Sequence, residues 1–228
     1  IDSSTVELTK ATGTVLSYTD KDANDDYLAP GGTESSLHKN TDGTWQQAQP
    51  NGIKLNYDSG GKVATVRNAA GATWTMTHNG MGQLTQVDDP GGGQTQLAFD
   101  FNNKLNKITD PGGRITTFTM DSNGDLTKTV CPGLCIRDME YDSQHRLTKH
   151  TDGEGAESNY IYDSNSRLKA YVSPLGYRTT YEYSSSKTTV TDPKGNQTEF
   201  LFNTADNIKA VVDPLGNRTS AGWTGTVS

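Results

Sequence analysis

Thiols, imidazoles and clustered carboxylates are the side chains from which a reactive or metal-binding site would be built. The sequence offers few of the first two. Cys131 and Cys135 are the only cysteines among 228 residues, in Cys131-Pro132-Gly133-Leu134-Cys135. That spacing is not the Cys-x-x-Cys of a redox motif. Two cysteines with no histidine nearby cannot complete a structural zinc site. They flank a tight turn, which leaves either a local disulfide or two free thiols. The disulfide would fit a secreted protein.

Carboxylates are plentiful, with 27 Asp and Glu against 20 Lys and Arg. Asp20, Asp22 and Asn24 sit at positions 1, 3 and 5 of a segment that resembles the start of a calcium loop. Asp25 stands where that loop needs Gly, and Gly31 where it needs Glu, so an acidic solvated loop is the simpler reading. The histidines are His38, His78, His145 and His150, and no Ser–His–Asp or Cys–His arrangement can be nominated from their spacing. Nearly all the aspartates fall in turns. The residues therefore nominate no catalytic, cofactor-binding or metal-ligating set, and the expectation is a protein that is not an enzyme and needs no cofactor.

What organises these residues is a repeat. Asp89-Pro90-Gly91-Gly92, Asp110-Pro111-Gly112-Gly113, Asp192-Pro193-Lys194-Gly195 and Asp213-Pro214-Leu215-Gly216 are four copies of one turn. Degenerate copies occur at Gln49-Pro50-Asn51-Gly52, Asn68-Ala69-Ala70-Gly71, Asp152-Gly153-Glu154-Gly155 and Ser173-Pro174-Leu175-Gly176, and the cysteine turn fills the remaining slot. The second residue falls at 50, 69, 90, 111, 132, 153, 174, 193 and 214, so six of the eight intervals are 21 residues and two are 19. Asp at the first position accepts hydrogen bonds from the turn backbone, Pro presets φ, and Gly at the fourth takes a left-handed conformation. Such a turn suits a hairpin with a bulge.

Nine residues after seven of the first eight second positions stands a histidine, methionine or aromatic: His78, Phe99, Met120, Tyr141, Tyr162, Tyr183 and Phe202, and Tyr57 fits with a two-residue deletion. Asp or Asn usually follows, then a second turn, then a polar–aliphatic pair such as Arg146-Leu147 or Arg167-Leu168. Another bulky residue precedes each by two, as in Tyr160/Tyr162 and Tyr181/Tyr183, which puts both on one strand face. One repeat therefore reads as strand, turn, strand, turn. In the second strand Leu84 and Val87, or Leu105 and Ile108, are three apart. Either a bulge realigns them or both faces are partly buried.

The predicted fold is all-β: tandem antiparallel hairpins of about 21 residues forming a continuous twisted or spiralling sheet, with a β-rich lead-in over 1–42 and the repeat array over 43–228. With only 31% hydrophobic residues and a mean hydropathy of −0.72, a thick core is out of reach. Stacked repeats must instead hold each other through cross-strand pairs. A ladder of Tyr160, Tyr162, Tyr181 and Tyr183 has two uses: holding repeats together, the preferred reading, or stacking on sugar rings or a partner from an exposed face.

These residues resemble the YD repeat of rearrangement-hotspot (RHS), teneurin and Tc-toxin proteins, whose pattern is roughly aromatic-Asp-x-x-Gly-Arg-Leu followed by Asp-Pro-x-Gly. Tyr141-Asp142-Ser143-Gln144-His145-Arg146-Leu147 and Tyr162-Asp163-Ser164-Asn165-Ser166-Arg167-Leu168 match it closely but lack the central Gly. The resemblance covers about residues 43 to 223. It implies a segment of an RHS/YD-type shell that encloses or displays another domain, in bacteria commonly a C-terminal toxin. The partner would then be the rest of the same polypeptide. The alternative is an adhesin-like surface that binds carbohydrate or a cell-surface protein.

Either role implies an extracellular or cell-surface location. A start at Ile1 points to a processed chain or a fragment, and no signal peptide is evident. The chain reaches Ser228 still in register, with Trp223 in the aromatic slot and no cleavage motif of the shell family. Eight or nine hairpins suggest an open or partly curled sheet. A net charge of −7 with no basic run disfavours nucleic acid, and no apolar stretch has the length of a membrane span.

Overall fold

The structure, a computed structural model, describes residues 5–10, 12–133 and 135–222. Leu134 of the cysteine turn and Trp223 lie outside them. Every regular element among the described residues is a β-strand. The chain divides into two compact units, Ile1–Ile115 and Thr116–Ser228.

In the first unit, the strands Val6–Thr9 and Val15–Tyr18 form a two-stranded sheet. A bridge between Thr19 and Leu28 leads on to the main sheet. That sheet runs in chain order from Asp26–Tyr27 to Leu105–Thr109, each strand antiparallel to the next. Ser36–Lys39 pairs with Trp45–Ala48, so the sheet crosses residue 42 without a break. The second unit is a meander of the same kind, from Ile115–Met120 to Arg218–Ser220.

The hairpins form where the spacing places them, and one turn geometry serves nearly all of them. In the turn at Asp89, the N–H of Gly92 donates to the Asp89 carbonyl (3.0 Å) and the N–H of Asp89 to the Gly93 carbonyl (2.9 Å). Gly92, at the fourth position, has φ of 88°. This is a type I turn closed by a left-handed residue. The same pair of bonds recurs at Asp100, Asp110, Asp121, Asp142, Asp152, Asp163, Ser173, Asp192, Asn203 and Asp213. It also occurs inside the lead-in, at Lys10, Asp22 and Asn40. The acidic loop at Asp20–Asp26 is thus one more such turn, in which Asp22 Oδ1 accepts the N–H groups of Asn24 and Asp26.

A bulge settles the three-residue spacing of the second strands. Met76 faces Val87 and His78 faces Leu84, so Thr85 is the extra residue. The same shift leaves Asn106, Thr127, Thr148 and Lys169 as the extra residues of later hairpins. The extra residue restores the apolar side chains on either side of it to one face. Three of these residues are threonines with a further role. The hydroxyls of Thr85, Thr127 and Thr148 donate to the carbonyls of Thr77, Thr119 and Glu140, at 3.1, 3.2 and 3.1 Å.

Among the described residues a core in the usual sense exists only in the first unit, where Leu16, Tyr18, Tyr27 and Leu37 are buried together against Val6, Leu8, Ala29 and Trp45. Among the described residues of the second unit the buried ones are small or polar, Ala170, Ala210, Ser158 and Thr189, while the aromatics other than the exposed Tyr177 are half-buried. A single-layer sheet leaves no deeper place for them. Its polar face carries ion pairs such as Lys128–Asp138 (3.0 Å) and Lys187–Glu199 (2.6 Å), each part-exposed and worth about 0–1 kcal/mol.

Candidate functional site

Three kinds of side chain recur at fixed places in the repeat, and around Tyr162 and Tyr183 together they tie one hairpin to the next. The first is the Asp that opens a turn. Asp163 Oδ1 accepts the N–H groups of Asn165 and Arg167, both at 2.9 Å, and its other oxygen accepts Arg167 Nε at 2.9 Å. Asp142 treats Gln144 and Arg146 the same way. These bonds favour the carboxylate over the acid. Asp110, Asp152 and Asp163 are held below the usual carboxylate range chiefly by the backbone N–H of the fifth turn residue. In Asp142, Asp192 and Asp213 the side chain of that same residue leads.

The second is the Arg at the fifth position. With its charge fixed by Asp142, the Arg146 guanidinium lies over the ring of Tyr162 in the following repeat, 4.8 Å from the centroid. It also donates to the Asp163 carbonyl and to Ser166 Oγ, both at 3.3 Å. Arg167 sits over Tyr183 at 4.4 Å. The third is the Tyr itself. Tyr162 Oη donates to the Leu147 carbonyl (2.9 Å) and Tyr183 Oη to the Leu168 carbonyl (2.7 Å).

Aromatic, Asp, Arg and Leu of the repeat thus form one clasp. Other repeats vary it. Gln83 donates from the fifth position to the Asn103 carbonyl at 3.1 Å. Asp125, in the place of Arg, instead meets His145 Nδ1 of the next turn at 2.9 Å.

The first unit adds a buried polar chain. Tyr18 Oη is 2.7 Å from Ser35 Oγ and accepts from Gln47 Nε2 at 2.7 Å, and Tyr57 Oη donates to Gln47 Oε1 at 3.2 Å. Burial, with the nearby Tyr18, pushes the Tyr57 phenol up to about 12. Nothing in this chain of neutral groups supplies a base, and it serves to satisfy hydroxyls under the lead-in strands.

Tyr160, Tyr162, Tyr181 and Tyr183 lie on one sheet face, all half-buried. Tyr160 packs on Tyr171, with ring centroids 5.4 Å apart. Arg146 and Arg167 cover one side of Tyr162 and Tyr183. Cys131 and Cys135 face each other across the hairpin, their thiols unbonded. His38 pairs with Asp26 at 3.0 Å, and His78 fills an aromatic slot opposite Leu84. Among the described residues no three His, Cys, Asp or Glu side chains come together to hold a metal ion. Sequence reasoning missed the reach of the fifth-position side chain into the next repeat. Its only signal was the recurrence of long polar residues there.

The comparisons agree with this geometry. The RHS Repeat family model matches residues 57–94, and the Teneurin YD-shell model matches residues 121–222. The chain is an array of YD/RHS repeats. No curated protein matches it. Among solved structures, the YD/RHS array is similar to the Photorhabdus luminescens Tc holotoxin pore, with TM-score 0.53 and 12% identity over 91% of this chain and 17% of that one. TcdB2-TccC3 without its hypervariable C-terminal region gives TM-score 0.57 and 13% identity over 89% and 15%. TcdB2-TccC3-Cdc42 gives 0.52 and 12% over 91% and 17%. The YD/RHS array therefore spans less than a fifth of the length of those chains, and at such identities the likeness is one of fold.

Proposed function

We propose that this YD/RHS array is a stretch of shell wall that encloses or displays another domain of the same polypeptide, and that it catalyses nothing itself. The observation that carries this reading is the clasp. The polar and aromatic side chains that a site would need are consumed in joining one hairpin to the next. The fold shared with the TccC3-containing structures is consistent with a wall role. A C-terminal toxin as the enclosed domain and an extracellular setting belong to the same proposal. The complete polypeptide that carries this array tests it by limited proteolysis. Its non-repeat domain should resist digestion until the array is unfolded, and equal digestion before and after unfolding would overturn the enclosing role.

A second reading is recognition of carbohydrate or a cell-surface protein. It is favoured by one observation, that Tyr160, Tyr162, Tyr181 and Tyr183 share a single half-buried face. Binding on a glycan panel that is lost when the four are changed to Ala would support it. Silence across the panel would count against a sugar.

A further inference from the structure

Wherever Asp or Asn opens a repeat turn, its Oδ1 accepts a backbone N–H from within the turn, as Asp110 does from Gly112 and Arg114, both at 2.9 Å. The turn after Leu126–Cys131 cannot do this. Cys131 takes the Asp place, and a thiol is a weak acceptor. The left-handed glycine is displaced as well, for Gly133 has φ of 85° at the third position rather than the fourth. What this tip has instead is a second cysteine at the fifth position, and Cys135 is the antiparallel partner of Cys131. Facing residues of an antiparallel pair have Cα atoms about 4.5–5.5 Å apart, inside the roughly 4.4–6.8 Å that a disulfide spans.

The neighbouring turn makes room for the sulfur. Its second position is Gly153, where seven other repeat turns carry proline. A Cβ at Gly153 would stand 3.3 Å from Cys135 Sγ. Gly133, Arg137, Asp152, Gly153 and Glu154 border an open notch beside Cys135, through which a small oxidant can reach it.

We propose that Cys131 and Cys135 form a redox couple that closes into a disulfide staple at this tip, replacing the missing Asp hydrogen bonds with a covalent link. The oxidant is a small-molecule disulfide such as oxidised glutathione. One cysteine thiolate attacks its S–S bond and releases one glutathione thiol. The second cysteine thiolate then displaces the other. Two electrons and two protons pass from the protein to the glutathione sulfurs. Oxidation leaves the fold intact and stiffens the Leu126–Cys131 and Cys135–Tyr141 hairpin.

The test equilibrates the 228-residue chain in glutathione buffers of graded potential, quenches with an alkylating reagent and reads intact mass. The expected product is a monomer two hydrogens lighter that takes up no alkyl group. Its Tm should lie above that of the reduced chain by roughly 4–8 °C, the shift typical of a 2 kcal/mol gain in a chain of this size. Cys131→Ser and Cys135→Ser should each stop at a mixed disulfide with one glutathione and show no such rise. Two alkyl groups on the wild-type chain under every buffer would overturn the proposal. So would oxidation that yields only covalent dimers or glutathione adducts.

Discussion

Asn106 is a residue out of keeping with its place. In three other hairpins the extra residue of the bulge is a threonine whose hydroxyl satisfies the carbonyl opposite. Asn106 occupies the same position, and its Oδ1 is buried without a hydrogen-bond partner. Asn106→Thr should supply the missing donor to the Ala98 carbonyl and remove the orphaned acceptor. A stabilisation of about 1 kcal/mol follows, visible as a higher urea midpoint at unchanged slope; an unchanged or lower midpoint would refute it. Asp206 departs from pattern in its backbone. It holds φ of 58° at the fourth position of its turn, where most copies have Gly. Left-handed backbone costs a non-glycine residue about 1–2 kcal/mol, part of which returns as chain entropy lost by glycine. Asp206→Gly should therefore raise stability by about 0.5–1 kcal/mol in the same measurement.

At the scale of the hairpin, the clasp predicts coupling between residues that are distant in sequence. In a double-mutant cycle of Arg167→Ala and Tyr183→Leu, the two losses should fall short of additivity by about 0.5–1 kcal/mol, the worth of an exposed cation–π pair. Additive losses would mean that the ring and the guanidinium stack without consequence. How much of this the sequence disclosed depends on range. Turns and strand faces were legible because their signals are local: Asp, Pro and Gly at fixed offsets, and bulky residues two apart. The bulge was legible only as an alternative, since Leu84 and Val87 fit either a shifted register or burial on both faces. The contact of Arg146 with Tyr162 was not legible, because it follows from the alignment of one repeat on the next. The turns at Lys10 and Asp22 escaped notice because they lack the Asp-Pro-x-Gly signature.

Across the molecule the same turn recurs many times, but among the described residues the buried large side chains belong to the first unit. Among the described residues Leu37, at 2% exposure, is the largest aliphatic side chain to be fully buried. Leu37→Ala should cost about 2–4 kcal/mol. Hydrogen exchange should show protection lost first in Val15–Tyr18 and Trp45–Ala48, whereas a uniform loss through the second unit would contradict a local core. The turn aspartates make a distributed contribution with a definite sign. Their carboxyls have depressed pKa values in the folded chain. The stability they confer is full above the unfolded value of about 3.9 and is lost as pH falls through the folded values. Tm should stay level from about pH 7 to 5 and drop steadily below about pH 4. A curve that is flat through that acid range would show that the turns do not depend on ionised Asp.

The two short repeats show how the array tolerates change. Between Pro50 and Ala69 the first strand shrinks to Lys54–Tyr57, two residues fewer than Gln94–Phe99. Between Pro174 and Pro193 the second turn closes directly from Ser184 to Lys187 and the bulge is gone, with Tyr183 facing Thr188 and Tyr181 facing Val190. In both cases two residues disappear and the aromatic side stays on its side. A strand has a parity, and a bulge or a turn residue each counts as one step of it. Repeat length can therefore drift in even steps at no cost to the sheet. A lone insertion or deletion would invert the polarity of everything that follows unless a second event nearby cancels it.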